Sequence, residues 1–277
     1  MRKFHKKMIF NIFICLISIM ILSVPVYGAN TSIQIPQKVK IGIRYGSSAT
    51  PIVSLHSSSG FEFGYDEGNS FISLVNFSQN DIYVRKDSYF LNSNGRFVEY
   101  NFNGFRDNDT AGIQGPNHIQ IGNVFSSKQE AENFMYSLPK LPEDPYLVYE
   151  NGWRVWMGAY TTQAKAKEVC DSIRTALPNT PLNIFSQDQK RIQVVDKSGK
   201  ILLMYPTGSY YFKSKNLIQI DGKTFRGDVM IRRYADSDLT VINQISLTEY
   251  LYGVVPKEVS GSWPIEAQKA QAVAARN

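Results

Sequence analysis

The sequence predicts an α+β fold, on three observations. Short runs of alternating apolar and polar residues, separated by Gly, Ser, Asn and Asp, fill residues 37–110 and again 191–245, the pattern of half-buried strands joined by turns. Between them a strand-then-helix motif occurs twice, which predicts a β-α-β-β-α-β module. The chain closes on two helical segments after Ser246. The expected order is a β-rich N-terminal region, the doubled module, then an antiparallel β segment leading into helices.

Residues 1–28 differ from the rest. Arg2, Lys3, Lys6 and Lys7 precede an apolar run from Met8 to Val24, and Val26-Tyr27-Gly28 offers small residues for cleavage. This is the layout of a secretory signal. An uncleaved membrane anchor through residues 8–24 is the alternative, because that run at about 1.5 Å per residue approaches the thickness of a bilayer core. Either reading places the remainder outside the cytoplasmic membrane, secreted or anchored in the cell envelope. The segment holds four basic residues and no acidic one, so its removal takes the net charge from +6 to +2. The basic balance is then a targeting feature, and nucleic acid is not an expected partner. Of the two cysteines, Cys15 lies in the apolar run and Cys170 is left without a partner for a disulfide. No Cys/His cluster has metal-ligand spacing, so no metal or other cofactor is expected. Cys170 reads as a small apolar helix residue.

In the first β region, strands are expected at Val39–Tyr45, Ile52–Leu55, Phe61–Phe63, Phe71–Val75, Ile82–Val84 and Phe97–Tyr100. The polar stretch from Asn103 to Asn117, containing "NGFRDNDTAG", is the linker candidate.

The repeat follows. "IQIGNVFSSKQEAENFMYSL" (Ile119 to Leu138) is answered by "RVWMGAYTTQAKAKEVCDSI" (Arg154 to Ile173), with Phe125 matching Tyr160, Ser126-Ser127 matching Thr161-Thr162, and Ala131 matching Ala166. Ser127 and Glu130 have the spacing of a capping box. Ala131, Phe134 and Leu138 share one helix face, as do Ala166, Val169, Cys170 and Ile173. Extended runs at Tyr146–Tyr149 and Leu182–Phe185 complete the unit. These doubled segments resemble the two halves of a SPOR domain over residues 117–190, a family that binds peptidoglycan glycan strands stripped of their stem peptides. The resemblance implies sugar contacts on the sheet face opposite the helices. Gln120, Arg154 and Trp156 alternate with Ile119, Ile121, Val155 and Met157, so one of the two sets faces away from the helices. Trp156 is thus a candidate platform for a pyranose ring or, alternatively, a core residue. A split β-α-β module without a ligand is the plainer alternative for the whole unit.

From Arg191, "RIQVVD", "ILLMYP", "LIQI", "VMIRRY" and "LTVINQISL" predict an antiparallel meander, with a tight hairpin at Asp221-Gly222-Lys223. A helical turn starts at Leu247 and reaches an apolar step. Pro256-Lys257-Glu258 and the loop Val259 to Ser262 come next, and Trp263-Pro264-Ile265-Glu266 opens an alanine-rich helix. A carboxylate among "YGVVP" and a Trp-capped helix start can keep a proton and act as a general acid, if it is enclosed. Read from the residues alone, Glu258 is a loop carboxylate, free or paired with Lys257. Glu266 is explained by the helix dipole, Glu249 by a solvated helix face, and Arg276 by either glycan contact or a helix end.

The segment "SLTEYLYGVVPKEVSGSWPIEAQKAQAVAARN" resembles the opening of the SpoIID/LytB domain, with similarity from about Tyr205 to Asn277. That family includes sporulation peptidoglycan hydrolases acting on denuded glycan strands as lytic transglycosylases. The resemblance assigns the catalytic acid to Glu258, although Lys-Glu-Val stands here where the family commonly has Ser-Glu-Met. It also implies that the final helix continues in a longer domain, so residues 191–277 are expected to be its N-terminal part and the chain to be truncated. Two function classes follow: a sporulation-type lytic transglycosylase, or a non-catalytic envelope protein that binds glycan or activates a cell-wall amidase or another sporulation partner.

Overall fold

The computed structural model describes residues 37–68, 70–93, 95–100, 112–234 and 237–276. The expected signal or anchor segment and most of the expected linker lie outside the described residues. Among the described residues no helix is long and apolar enough to cross a membrane.

The first stretch forms β1 (Lys38–Arg44), β2 (Ile52–His56), β3 (Phe61–Glu67), β4 (Ser70–Phe77), β5 (Asp81–Lys86), β6 (Phe90–Ser93), β7 (Arg96–Glu99) and β8 (Ile113–Gln114). The doubled motif forms β9 (Asn117–Phe125), α1 (Lys128–Ser137), β10 (Pro145–Tyr149), β11 (Trp153–Tyr160), α2 (Gln163–Ile173) and β12 (Leu182–Phe185). The remainder supplies β13 (Arg191–Val195), β14 (Ile201–Pro206), β15 (Tyr210–Lys213), β16 (Ile218–Ile220), β17 (Lys223–Phe225), β18 (Asp228–Arg233), β19 (Leu239–Ser246), α3 (Leu247–Glu258) and α4 (Ile265–Ala274). Mostly β with four helices among the described residues, this is the expected α+β composition with a β-rich N-terminal region.

Both helices of the doubled motif begin as their hydroxyl residues dictate. Ser127 accepts from the Glu130 amide at 3.2 Å and Thr162 from the Lys165 amide at 3.1 Å, each satisfying a donor the helix itself cannot. The Glu130 carboxylate reaches one residue further back than a capping box requires. It accepts from the Ser126 hydroxyl at 2.8 Å and the Ser126 amide at 3.1 Å.

The strands of the motif lie in the order β12-β9-β11-β10, antiparallel at every step, which is the order a β-α-β-β-α-β unit adopts when each helix crosses one face. The sheet does not stop there. β10 pairs in parallel with β14 at Leu147↔Leu203 and Val148↔Met204, and the sheet runs on through β13, β5, β2, β16 and β17 to ten strands. Strands from residues 37–110, 117–190 and 191–277 therefore lie side by side in it. A second sheet has the order β1-β19-β18-β15-β3-β4, and β7-β6-β8 make a third.

One face of the long sheet is covered by both helices of the doubled motif and by the six-stranded sheet, α1 setting Ala131 in one core with Leu147 and Val155. At one end α2 lays Ala166, Cys170 and Ile173 on Ile119, Ile121 and Met157. At the other the six-stranded sheet presses Phe61, Phe63, Phe212, Val229 and Ile231 toward Val53, Leu55, Ile82, Val84, Ile192 and Tyr205. Fully burying such side chains is worth about 1.5–3 kcal/mol each. Cys170, buried and free, is one more apolar contact. On the opposite face, Phe90 of β6 and Phe97 of β7 pack with Tyr146, Val148, Trp156, Val195 and Met204.

Two expectations are corrected. The stretch after Arg191 is antiparallel, but it is not one meander. β13 and β14 lie in the long sheet, β15 in the six-stranded sheet, β16 and β17 in the long sheet again, and β18 and β19 in the six-stranded one. The hairpin between β16 and β17 is as expected: Asp221 (φ 48°) and Gly222 (φ 78°) both take the left-handed conformation of a type I′ turn. Second, Glu258, read from the residues as a loop carboxylate, is the last residue of α3, which also takes in Pro256. Pro256 stands in the last turn, where a missing amide costs one bond near a helix end and the Val259 amide still closes on Val255 O at 3.0 Å.

Candidate functional site

α3 rises from the end of β19. Ser246 accepts from the Glu249 amide at 3.2 Å, and its hydroxyl donates to the Glu249 carboxylate at 2.9 Å, while the Leu247 amide donates to Gln37 O at 2.9 Å. Glu249 is thus part of the helix start and more than a solvated side chain. Its signal was present in the sequence as Ser246-x-x-Glu249. The loop to α4 is pinned by the Gln268 amide, which donates to Gly261 O (3.1 Å) and Trp263 O (3.0 Å). Glu266 opens α4 and pairs with Lys269 at 2.8 Å, and Arg276 lies exposed past its end.

Glu258 is the last residue of α3 and is exposed, at the end where the helix dipole disfavours an anion. The Gln271 side-chain amide donates to its carboxylate from α4. The apolar enclosure that the sequence suggests is not formed by the described residues. Tyr252 of α3 is 70% exposed and Trp263, before α4, 53%, while Val259 next to Glu258 is buried.

The sheet-face residues stand elsewhere. The parity is as the alternation predicts: Ile119, Ile121 and Met157 meet α2, and Gln120 and Trp156 point the other way. That other face is covered, and here the expectation of an open sugar platform is corrected. Trp156 has no exposed surface and Gln120 is 6% exposed. The Trp156 indole donates to Gln120 Oε1 at 3.1 Å. Its ring stacks on Phe185 at 4.7 Å and lies beneath the Arg191 guanidinium, 4.9 Å from the ring centre. Arg154 is half-buried and donates to Glu150 O at 2.7 Å. These three residues and Glu258 belong to separate parts of the fold: two inside the sheet packing, one on its margin and one on the terminal helices.

Sequence reasoning did not find the polar cluster around Trp156. Asp87, just past β5, is fully buried, and so is His118 on β9. His118 Nε2 lies 3.1 Å from Asp87 Oδ1. Its Nδ1 lies 2.8 Å from Gly158 O and 2.7 Å from the Tyr146 hydroxyl. Gln193 donates to Asp87 Oδ1 at 2.9 Å and accepts from Arg85 Nε at 2.8 Å. Arg233 of β18 donates to the carbonyls of Asp87, Asp188 and Arg191 at 2.9–3.3 Å. Burial lowers the Arg85 guanidinium to about 10, against the pull of Asp87 and Tyr146, and pushes the Tyr146 phenol well up. Although Tyr, His and Asp in a row suggest proton transfer, no substrate reaches side chains without exposed surface. The cluster joins residues of β5, β9, β13 and β18. An isolated His and an isolated Asp in turn-rich sequence carry no spacing that would have revealed it.

Among the described residues no group of three or more His, Cys, Asp or Glu is placed to hold a metal ion. Residues 235–277 match the family model SpoIID, described as Stage II sporulation protein, and this span contains β19, α3, α4 and Glu258. The chain is also 40% identical over 65 residues to an uncharacterized protein of Brachyspira hyodysenteriae, which covers 24% of this chain and 17% of that protein. The chain thus spans less than a fifth of the curated relative it matches. No solved structure matches it. The C-terminal match supports the SpoIID family and a link to sporulation.

Proposed function

We propose that this chain is an exported, sporulation-type cell-wall protein whose C-terminal segment begins a lytic transglycosylase domain acting on denuded glycan strands. The observation that carries this reading is that the SpoIID match spans Glu258, whose carboxylate stands exposed at the end of α3 and accepts from the Gln271 side chain of α4. In the reaction, Glu258 gives its proton to the glycosidic oxygen between muramic acid and glucosamine as that bond breaks. The muramic 6-hydroxyl attacks the anomeric carbon and returns its proton to Glu258, closing a 1,6-anhydro ring. The substrate supplies the nucleophile, so no second catalytic carboxylate is needed. Tyr252 and Trp263 offer exposed ring faces that a pyranose can cover.

The β-α-β-β-α-β unit is assigned a SPOR-like anchoring role, with sugar contacts on its exposed surfaces and not at Trp156 or Gln120. The open setting of Glu258 favours a second reading, a non-catalytic glycan-binding protein or an activator of a cell-wall amidase. One experiment divides them: incubation of the chain with amidase-denuded glycan strands, scoring retention and anhydro-muropeptide release together. Release that disappears in Glu258→Gln with retention intact supports the enzyme. Retention without release, indifferent to Glu258→Gln, supports the binding protein, and neither activity refutes both.

A further inference from the structure

The Glu258 carboxylate, at the end of α3, is held from the next helix by the side chain of Gln271. We propose, on the reading of Glu258 as a general acid, that Gln271 is its positioning residue: it fixes the rotamer of the carboxyl group and decides which oxygen carries the proton.

Each helix contributes one half of the arrangement. On α3, the Val259 amide closes the last turn on Val255 O at 3.0 Å, and the Val259 side chain is buried, so the backbone at Glu258 is tied down. On α4, the Gln268 side-chain amide donates to Gly261 O at 3.1 Å and to Trp263 O at 3.0 Å, which sets the helix against the loop that joins it to α3. Gln271 follows Gln268 at i+3, on the same helix face. From there, half-buried, it donates through Nε2 to Glu258 Oε2. Gln268 places the helix, and Gln271 turns that placement into a contact with the carboxylate.

An exposed glutamate at a helix end otherwise moves among its staggered rotamers. A general acid has to stand within hydrogen-bond reach of the oxygen it protonates, and a displacement of about 1 Å can cost a hundredfold in rate. The amide nitrogen of a glutamine offers hydrogens and no lone pair. A proton on Oε2 would point at those hydrogens. Oε2 is therefore the accepting oxygen, and the proton belongs on Oε1. In the proposed reaction Oε1 gives that proton to the glycosidic oxygen and takes one back from the muramic 6-hydroxyl. The glycan then approaches the carboxyl group from the side turned away from Gln271.

The test reads rotamer and rate in the same proteins. In the full chain, labelled at glutamate, three-bond NMR couplings from the Glu258 nitrogen and carbonyl carbon to Cγ report χ1, and anhydro-muropeptide release from denuded glycan reports turnover. One dominant rotamer is expected in the wild type. Gln271→Met keeps the length and the helix propensity but has no donor. It should show rotamer-averaged couplings and release about ten- to a hundredfold slower, with retention on glycan and Tm unchanged. Gln271→Asn keeps the amide one methylene short and should behave as Gln271→Met does. A mere tie between the helices would lower Tm and leave the Glu258 couplings as they are. Averaged couplings already in the wild type, couplings unchanged in both variants, or a wild-type rate in Gln271→Met would each overturn the proposal. A wild type that releases nothing refutes the enzymatic reading alone, and the couplings then decide whether Gln271 holds Glu258.

Discussion

Replacing Trp156 with alanine distinguishes a sugar platform from a core residue. The indole has no exposed surface, and large aromatic-to-alanine changes in such sites cost about 3–5 kcal/mol. Two further losses overlap with that figure. Gln120 Oε1, which accepts the indole N–H, is left in a site only 6% exposed, at about 1–3 kcal/mol. The Arg191 guanidinium, 8% exposed in its side chain, loses a ring face worth up to about 2 kcal/mol. Allowing for the overlap, the expected loss is about 4–6 kcal/mol, a large share of the ~5–15 kcal/mol that holds an ordinary domain together. Trp156→Phe keeps a ring between Phe185 and Arg191 and should lose about 1–3 kcal/mol, mainly for the stranded amide oxygen. Urea unfolding followed by far-UV circular dichroism reads both variants, with the slope compared to ensure that the transition itself is unchanged. An alanine variant that unfolds at the wild-type midpoint but no longer binds denuded glycan would refute the buried assignment and restore the platform.

Two other predictions concern buried or half-buried charge. Asp87→Ala removes the acceptor facing His118 and Gln193 and takes a buried carboxylate charge away from Arg85 and Arg191, so a loss of about 3–5 kcal/mol is expected. An unchanged Tm in scanning calorimetry would contradict it. Asp228 is raised from its ordinary 3.8 by burial, and by Asp66 to a smaller degree, against the pull of Lys213 and Lys38. The folded state then holds this proton more tightly than the unfolded one, so stability falls as pH rises from 3.8 through the raised value. Asp228→Asn does not titrate, and its stability relative to wild type should climb through that window and level off above it. Parallel urea midpoints across the acid range would show that Asp228 is not the group responsible.

Much of the secondary structure could be read because alternation is local. Val39–Tyr45, Ile82–Val84 and Leu182–Phe185 each signal a strand through their own residues, and Ser127 and Thr162 mark the helix starts. The strands β6, β8, β15 and β17 are not among the expected ones. The fate of Trp156 illustrates a deeper limit. Periodicity shows which residues share a face with it, but not what lies over that face. Its cover comes from Phe90, Arg191 and Phe185, all far off in the chain. The cluster at Asp87 is hidden for the same reason, since His118 and Gln193 meet it only once β5, β9 and β13 are brought together. Glu258 was legible as a residue only through resemblance, and its openness only through the fold. The extended α3 shows propensity yielding to position: a proline that ends most helices is tolerated where only one turn remains.

The pairing of β1 with β19 sets a timetable for the living chain. A polypeptide emerges from the ribosome, or through an export channel, N-terminus first. Of the described strands Lys38–Arg44 is the first to appear, yet it must wait for Leu239–Ser246, the last of them, before its backbone finds a partner. The alternation of β13 to β19 between the sheets leaves both open until late, the long sheet waiting for β17 and the six-stranded one for β19. Newly made molecules therefore carry bare strand edges until those pairings form. The β1 edge has to be sheltered, or the molecules kept sparse, until Leu239–Ser246 has been made.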